Sequence, residues 1–198
     1  MSHKFDNITI SGGIAVGTST LLNNLRPYLK PYHWKFFSGG EFMRDYALKN
    51  KLLSPSQKGH PKATVFADDL DRKLDFGMQK RLKSEKHVAL ESWLSGFMCR
   101  EIPKTLTILL YCSNDAVRVD RVVNRDRMTI DEAKHYIKER ESENFTKWRR
   151  LYGDYNFFDP TYYKLVIDTY SSGQLETLGK VLDKLGYNHD QIKIAKTS

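Results

Sequence analysis

The sequence predicts an α/β fold in which a five-stranded parallel sheet is flanked by helices. Three observations support this prediction. Five short apolar runs have the length of buried strands, longer segments with helical spacing separate them, and a glycine-rich turn joins the first run to the first helical segment. Alternating strands and helices are typical of parallel sheets, because each crossover between parallel strands needs a connection about as long as a helix.

Each element follows from its local pattern. The predicted strands are residues 8–11, 34–38, 87–91, 106–112 and 165–169, which are rich in Ile, Val, Leu and Phe. The first helix should end before Pro31, and its apolar face consists of Leu21, Leu22, Leu25, Tyr28 and Leu29. Further helices are predicted over residues 68–83, 114–125, 129–152 and 174–185. Residues 50–64 are predicted to form a loop, and the polar tail after Gly186 to be loosely held.

Composition limits the class of protein. A chain of 198 residues with 40% hydrophobic and 28% charged residues is the size of one soluble globular domain, so we expect residues 1–198 to form a single domain. No apolar run approaches the roughly 20 residues of a membrane span. The first residues soon enter a strand pattern, unlike a signal peptide. Cys99 and Cys112 lack metal-ligand spacing, and two thiols in a chain of this size indicate a reducing compartment, so we expect a cytoplasmic protein. We also expect a monomer.

The charge balance favours anionic partners. The formal net charge is +8 and the pI is near 9.3. Both nucleotides and nucleic acids suit such a protein, and the charge alone does not choose between them.

The stretch ITISGGIAVGTSTLLNNL, residues 8–25, contains a candidate phosphate site. It fits the pattern G-x-x-x-x-G-K-[ST] at Gly12, Gly17 and Ser19, but Thr18 stands where the lysine belongs. A glycine-rich turn before a helix directs backbone N–H groups and the positive helix end toward an anion. The alternative is a strand-to-helix turn of no chemical significance. The predicted phosphate-binding residues are Gly12, Gly13, Ile14, Ala15, Val16, Gly17, Thr18, Ser19 and Thr20.

Further motifs follow in a definite order. SGGEFMRD follows the second predicted strand, LDRKLD lies on the predicted helix 68–83, and VALESWLSGFM contains the third strand. VRVDRVVNRDR follows the fourth strand, and KERESENFTKWRRLYGDYNFFD leads to YKLVIDT. Over residues 6–185 this order resembles the cytidylate-kinase-like branch of the nucleoside monophosphate kinases, particularly its archaeal-type members. The resemblance implies a P-loop kinase fold with an acceptor-binding segment at about 39–85 and a helical lid at about 121–150.

The resemblance also implies an activity, which is transfer of the γ-phosphoryl group of ATP to a nucleoside monophosphate. The leading acceptors are CMP and dCMP, and Mg²⁺ is the implied cofactor. Ser19 and Glu91 would hold the Mg²⁺, since Glu91 ends the third strand, where ligands bind in open α/β sheets.

Three arginines take catalytic roles by the same match. Arg121 would lie over the adenine ring and also bind ATP, while Arg125 and Arg140 would reach the phosphates. Because Thr18 carries no charge, we expect the lid arginines to supply the positive charge that a loop lysine would give during phosphoryl transfer. The alternative for each arginine is a solvated helix face with i, i+4 pairs.

The acceptor site follows from the match less completely. Ser38 would lie near the base, Arg44 would bind the monophosphate, and Asp71 would accept a hydrogen bond from an amino group of the base. Arg44 could instead pair with a neighbouring carboxylate, and Asp71 could be an ordinary surface group. The expected Leu-Glu-Gly-Arg pattern reads Leu-Glu-Ser-Trp here, so an arginine for the acceptor phosphate is replaced by Trp93. Trp93 could stack on a base or fill the core.

Two other functions remain open at this point. The missing lysine and arginine suit a protein that kept the fold, binds nucleotide or RNA, and lost catalysis. Nucleic acid is the less favoured partner, because no RNA-binding signature accompanies the charge. A kinase for a different small acceptor is the other alternative, since one fold supports many substrates.

Overall fold

The computed structural model describes residues 4–54 and 58–187, and it confirms the predicted five-stranded parallel sheet. The sheet order is β2–β3–β1–β4–β5, and every neighbouring pair is parallel. The first strand is therefore central, and its carboxyl end opens between those of β3 and β4. The strands are β1 (Asn7–Ser11), β2 (Lys35–Ser38), β3 (Val88–Glu91), β4 (Thr105–Tyr111) and β5 (Leu165–Asp168).

Helices connect the strands in the described residues. Five of them lie where the sequence predicts helices, and two further ones were not predicted. No helix within residues 4–54 and 58–187 is long and apolar enough to cross a bilayer. Single 3-10 turns lie at Lys30–Tyr32, Ala63–Val65 and Pro160–Tyr162. The helices are α1 (Thr18–Leu29), α2 (Gly39–Lys49), α3 (Asp68–Ser84), α4 (Ser95–Met98), α5 (Asp115–Asp126), α6 (Ile130–Tyr152) and α7 (Gln174–Leu185).

The two faces of the sheet carry separate hydrophobic clusters. On one face, α1 and α7 pack against β1 and β4 through leucines such as Leu25 and Leu182. On the other face, α3, α4 and the end of α6 cover β3, with Trp148 and Phe157 at the centre of the cluster. The end of α6 is thus anchored in the cluster that covers β3.

A third cluster joins the central loop to the two charged helices. Ile14, which follows β1, is buried against Val122 of α5 and against Ala133 and Ile137 of α6. Thr129 begins α6 with a capping box, in which its hydroxyl accepts from the amide of Glu132 while the Glu132 carboxylate accepts from the amide of Thr129. The helices predicted to form a lid therefore rest directly on the glycine-rich loop.

Helices α2 and α4 were not predicted. α2 begins with Gly39 and Gly40, whose low helix propensity hides its start, but Ser38 caps it by accepting from the amide of Glu41. α4 has four residues, too few to show a period. Residues 55–57 of the predicted loop, and the predicted tail beyond Tyr187, lie outside the described residues.

Candidate active site

The loop after β1 has the geometry of an anion-binding turn. Gly17 caps α1 in a left-handed conformation with φ of 99°, and Ala15 also has a positive φ of 58°. Gly12 packs so tightly that a Cβ there would lie 2.5 Å from the carbonyl oxygen of Leu110 and 2.6 Å from Val16 Cγ2. The first amides of α1, which lack partners within the helix, start at this turn, as a phosphate site requires.

Thr18 is bound to a carboxylate. Its hydroxyl donates to Glu91 Oε1 at 2.7 Å, and the Ser38 hydroxyl donates to Glu91 Oε2 at 2.6 Å. Glu91 therefore joins the glycine-rich loop to the N-terminus of α2. The side chain in the lysine position takes part in an internal hydrogen-bond network.

Glu91 is a buried carboxylate, and its burial disfavours the ionised form. Only 5% of the residue is exposed, and burial raises its pKa, while hydrogen bonds from Ser38, Thr18 and Ser19 oppose the increase. The hydroxyls thus stabilise the ionised form, and without them the carboxylate would bind a proton more readily.

The donor set fits Mg²⁺. Glu91 and the exposed Ser19 offer oxygen atoms at the start of α1, and oxygen is the ligand that Mg²⁺ prefers. The structure as described contains no cluster of three or more His, Cys, Asp or Glu side chains that could enclose a metal. Mg²⁺ commonly binds through one or two protein groups, water and substrate phosphates, so this set is sufficient.

A second part of the site is a cavity of about 100 Å³ between α2, α3 and α6. This volume is smaller than the roughly 300 Å³ at which small-molecule pockets begin, so a nucleotide needs the cavity to widen. The charged and aromatic residues around it are His60, Phe66, Asp71, Asp75, Trp93, Arg140, Lys147 and Trp148.

Asp71 faces the cavity in an ion pair. Its partner is Lys147, which is 7% exposed and also donates to the carbonyl oxygens of Ala63 (2.9 Å) and Phe66 (2.7 Å). Burial raises the pKa of Asp71, and the hydrogen bond from Lys147 opposes this. Lys147 therefore fixes the Asp71 side chain at the cavity wall.

Asp75 lies one helical turn further along α3 and is buried. The Tyr152 hydroxyl donates to Asp75 Oδ2 at 2.6 Å. Burial raises the pKa of Asp75 to about 7, with a smaller contribution from the charge of Asp71, and the Tyr152 hydrogen bond acts in the opposite direction. The cavity thus has two carboxyl groups, of which Asp71 alone has a cationic partner.

Trp93 lines the cavity and is only partly buried. Its ring meets that of Trp148 edge to face, with 5.4 Å between centroids, and the Arg140 guanidinium lies 5.8 Å from the Trp93 ring centroid. Trp93 is thus both packed against the core and exposed to the cavity. Its flat ring is held where an acceptor could stack on it.

The charges of three predicted arginines act on one partly buried histidine. The pKa of His60 is lowered to about 4 by burial and then by the positive charges of Arg140, Arg125 and Arg44. Arg44 donates to the carbonyl oxygen of Gly59 at 2.6 Å, and Arg140 donates to that of Pro61. Backbone carbonyls of residues 59–61 therefore occupy two of the three guanidinium groups.

Arg121, by contrast, lies at the glycine-rich loop. Arg121 donates to the carbonyl oxygens of Ala15 (3.0 Å) and Thr169 (2.9 Å), which places it between the glycine-rich loop and the turn after β5. Arg125 is half exposed and pairs with the adjacent Asp126 at 2.6 Å. The structure therefore brings Arg44, Arg125 and Arg140 near His60, while Arg121 is bonded to the glycine-rich loop and the turn after β5.

Several residues of the site were not found from sequence. Lys147, His60, Arg118 and Glu141 make their contacts with residues that are mostly more than 70 positions away. Arg118 and Glu141 lie inside the motifs VRVDRVVNRDR and KERESE, so the sequence drew attention to both segments. It did not show which residues they contact.

Comparison with known proteins gives the family. The sequence model of the cytidylate kinase-like family matches residues 40–171. The chain is 33% identical to a cytidylate kinase of Thermococcus sibiricus over 174 residues, covering 87% of this chain and 84% of that protein. It is 32% identical to a cytidylate kinase of Pyrococcus abyssi over 166 residues, with coverages of 82% and 83%.

Solved structures share the fold at low sequence identity. An uncharacterised protein from Eubacterium ventriosum superposes with a TM-score of 0.67 at 12% identity, covering 92% of this chain and 99% of that one. A gluconokinase from Sinorhizobium meliloti gives 0.56 at 12% identity, with 100% of both chains covered. A shikimate kinase from Bacteroides thetaiotaomicron gives 0.53 at 14% identity, with coverages of 91% and 98%.

The central β1 strand, the glycine-rich turn and the parallel sheet define a P-loop kinase fold. The chain belongs to the cytidylate kinase-like family, and it is a kinase.

Proposed function

We propose that this protein transfers the γ-phosphoryl group of ATP to a nucleoside monophosphate, with CMP and dCMP as the leading acceptors. The observation that carries the proposal is that Arg44 and Arg140 bond to the carbonyl oxygens on either side of His60, where the charge of Arg125 also acts. These cations come from the acceptor segment (residues 39–85) and the lid (121–150), so their charges meet between the two parts. Two phosphate-bearing substrates need such a concentration of charge.

ATP binds through the glycine-rich loop in this proposal. The amides at the start of α1 hold its phosphates, and Arg121 lies beside the adenine ring, near the turn after β5. Mg²⁺ would be held by Ser19 and Glu91, and it would neutralise charge on the phosphate oxygens. The loop positions the phosphates of ATP, while most of the positive charge around them comes from arginines.

The acceptor binds in the widened cavity. Asp71, oriented by Lys147, accepts a hydrogen bond from the amino group of cytosine, and Ser38 lies close to the base. Trp93 stacks on the base, and Arg44 takes the monophosphate after releasing the Gly59 carbonyl. Arg125 and Arg140 stabilise the charge that spreads over the transferred group, which is the main demand of phosphoryl transfer.

One assay tests the proposal. Purified protein is incubated with Mg-ATP and each of CMP, dCMP, UMP, AMP and GMP while ADP is measured. We expect kcat/KM to be highest for CMP or dCMP. The Asp71→Asn variant should lose most of the preference for CMP over UMP, because UMP lacks the amino group that Asp71 binds.

The assay also separates the alternatives. When small hydroxylated metabolites are added to the panel, turnover with one of them and with no monophosphate would identify a kinase for a different acceptor. ATP binding without turnover across the panel would contradict the proposal and favour a binding protein. In that case, affinity for RNA that falls steeply with salt would identify the ligand.

A further inference from the structure

Ile14 of the glycine-rich loop has both backbone polar groups bonded to side chains of other helices. Its carbonyl oxygen accepts from Arg118 Nε of α5 at 3.1 Å, and its amide donates to Glu141 Oε1 of α6 at 3.3 Å. Arg118 and Glu141 also form a direct ion pair. The three groups therefore close a ring on the loop backbone.

The Glu141 carboxylate lies against the loop itself. A Cβ built on Gly13 would be 2.6 Å from Glu141 Oε1 and 3.8 Å from an Arg118 terminal nitrogen. The Arg118 side chain is 14% exposed and that of Glu141 is 25% exposed. This pair is therefore unlike an ordinary surface ion pair, which stays solvated and contributes little.

The partners of this carboxylate are those that a phosphate oxygen prefers. A loop amide and a guanidinium group both donate to the same anionic oxygen, as they do in sites for phosphate groups. The loop lacks a lysine, and Thr18 is turned toward Glu91. Arg118 brings a positive charge to a loop to which Thr18 brings none.

We propose that Arg118 and the amide of Ile14 form an anion subsite of the ATP site, which Glu141 fills when no nucleotide is bound. On ATP binding, an oxygen of the terminal phosphate replaces the Glu141 carboxylate, and Arg118 keeps an anionic partner throughout. Arg118 thus supplies charge that the missing lysine would supply. This inference rests on the proposed function in one respect, namely that the loop binds ATP.

Binding measurements test the subsite without requiring turnover. The probes are inorganic tripolyphosphate and ATP, titrated by calorimetry. Glu141→Gln keeps the shape of the side chain and removes its charge, so we expect both probes to bind about three- to tenfold more tightly. Arg118→Gln should weaken both by about tenfold or more, and Arg118→Lys should recover most of this loss.

Matched controls are available elsewhere in the chain. Glu176→Gln removes a carboxylate that pairs with Lys180 on α7, and Arg149→Gln removes a guanidinium that pairs with the exposed Asp154. Neither should change the affinity for either probe. If Arg118→Gln does not fold, Glu141→Gln and Arg118→Lys still give the answer.

The outcomes are distinct. Glu141→Gln binding that equals or falls below the wild-type affinity overturns the subsite, and so does unchanged affinity in a folded Arg118→Gln. A wild-type protein that binds neither probe overturns it as well. Wild-type protein that binds both probes, shows the expected variant pattern and phosphorylates no acceptor supports the subsite and contradicts only the proposed function.

Discussion

At the scale of single residues, the lysine position shows how one substitution changes the surroundings. The Thr18 hydroxyl donates to Glu91, and Glu91 also accepts from the Ser38 hydroxyl, so the glycine-rich loop and the start of α2 share one buried carboxylate. A neutral hydroxyl in this place supports the charge of Glu91 and leaves the charge of ATP to other groups.

Thr18→Val should destabilise the folded protein, because it removes a donor from a buried carboxylate. We expect a loss of about 1–3 kcal/mol in the free energy of unfolding at neutral pH. The loss should be smaller in acid, where Glu91 is protonated and needs the donor less. Urea denaturation measures it. Thr18→Ser should recover the stability, and a loss of equal size in the exposed Thr20→Val would contradict the role of Glu91.

Asp75→Asn should stabilise the protein at high pH. Burial raises the pKa of Asp75 from 3.8, its value in an unfolded chain, to about 7 in the folded protein. Between these pH values the folded state binds more protons than the unfolded state, so the protein loses stability as the pH rises through this range. Asn carries no charge, so the gain should approach about 4 kcal/mol above pH 7 at most and vanish near pH 4. Thermal unfolding against pH measures this, with Asp69→Asn, exposed on the same helix, as control. A gain that does not depend on pH would refute the assignment.

At the scale of elements, α6 has two functions along its length. Its end is fixed in the core by Trp148, while its beginning covers the loop through Ala133 and Ile137. In the first half of α6, Tyr136 and Arg140 also bond to the backbone of residues 60 and 61. A movement of this half would change the proposed ATP and acceptor sites together.

Arg125→Ala should reduce turnover more than binding. If the lid supplies the catalytic charge, kcat should fall about 10²- to 10³-fold, as on loss of a transition-state donor. The affinity for ATP, measured by calorimetry, should change much less. Unchanged turnover in both Arg125→Ala and Arg140→Ala would show that the lid arginines do not act in catalysis.

Arg44→Ala should act on the acceptor alone. An arginine bonded to a phosphate contributes about 1.5–3 kcal/mol, so the KM for the acceptor should rise well over tenfold while the KM for ATP stays close to that of the wild type. Initial-rate kinetics with each substrate varied in turn measure both constants. The exposed Arg72→Ala of α3 is the matched control, and equal effects on both substrates would rule out a specific acceptor role.

Local patterns predicted the elements better than the contacts between them. The alternation of apolar runs and helical spacing was enough for the sheet and for five of its helices, because these patterns repeat over many residues. α2 was not predicted because it begins with Gly39 and Gly40, which have low helix propensity. The pairing of Lys147 with Asp71, and of Glu141 with the Ile14 amide, joins residues 76 and 127 positions apart in sequence, and no local period reports such contacts.

The family resemblance supplied what periodicity did not. It grouped Arg44, Arg125 and Arg140 as phosphate ligands, and the structure places all three around His60. It could not show that Arg44 and Arg140 are bonded to backbone carbonyls, because that arrangement depends on how the loop before α3 folds onto α6.

At the scale of the whole molecule, the net charge of +8 should attract both substrates, which are anions. We expect kcat/KM for the acceptor to fall about tenfold or more between low and high KCl, because salt screens the field that draws anions to the site. kcat should be much less sensitive, since bound groups are screened less. A dependence of kcat as steep as that of kcat/KM would show that salt acts on the chemical step instead.

The carbonyl oxygens of Gly59 and Pro61 have a consequence for how strongly any acceptor can bind. Under the proposed function, the Gly59 carbonyl occupies the arginine that binds the acceptor phosphate, and the Pro61 carbonyl occupies an arginine that stabilises the transferred group. The competent form of the protein is then the fraction in which both carbonyls have been released. The apparent dissociation constant equals the intrinsic one divided by that fraction, and a competent population of about one in a hundred would weaken apparent affinity about a hundredfold. Changes in residues 58–62 can therefore adjust the acceptor concentration at which the enzyme works while every group that touches the nucleotide stays the same.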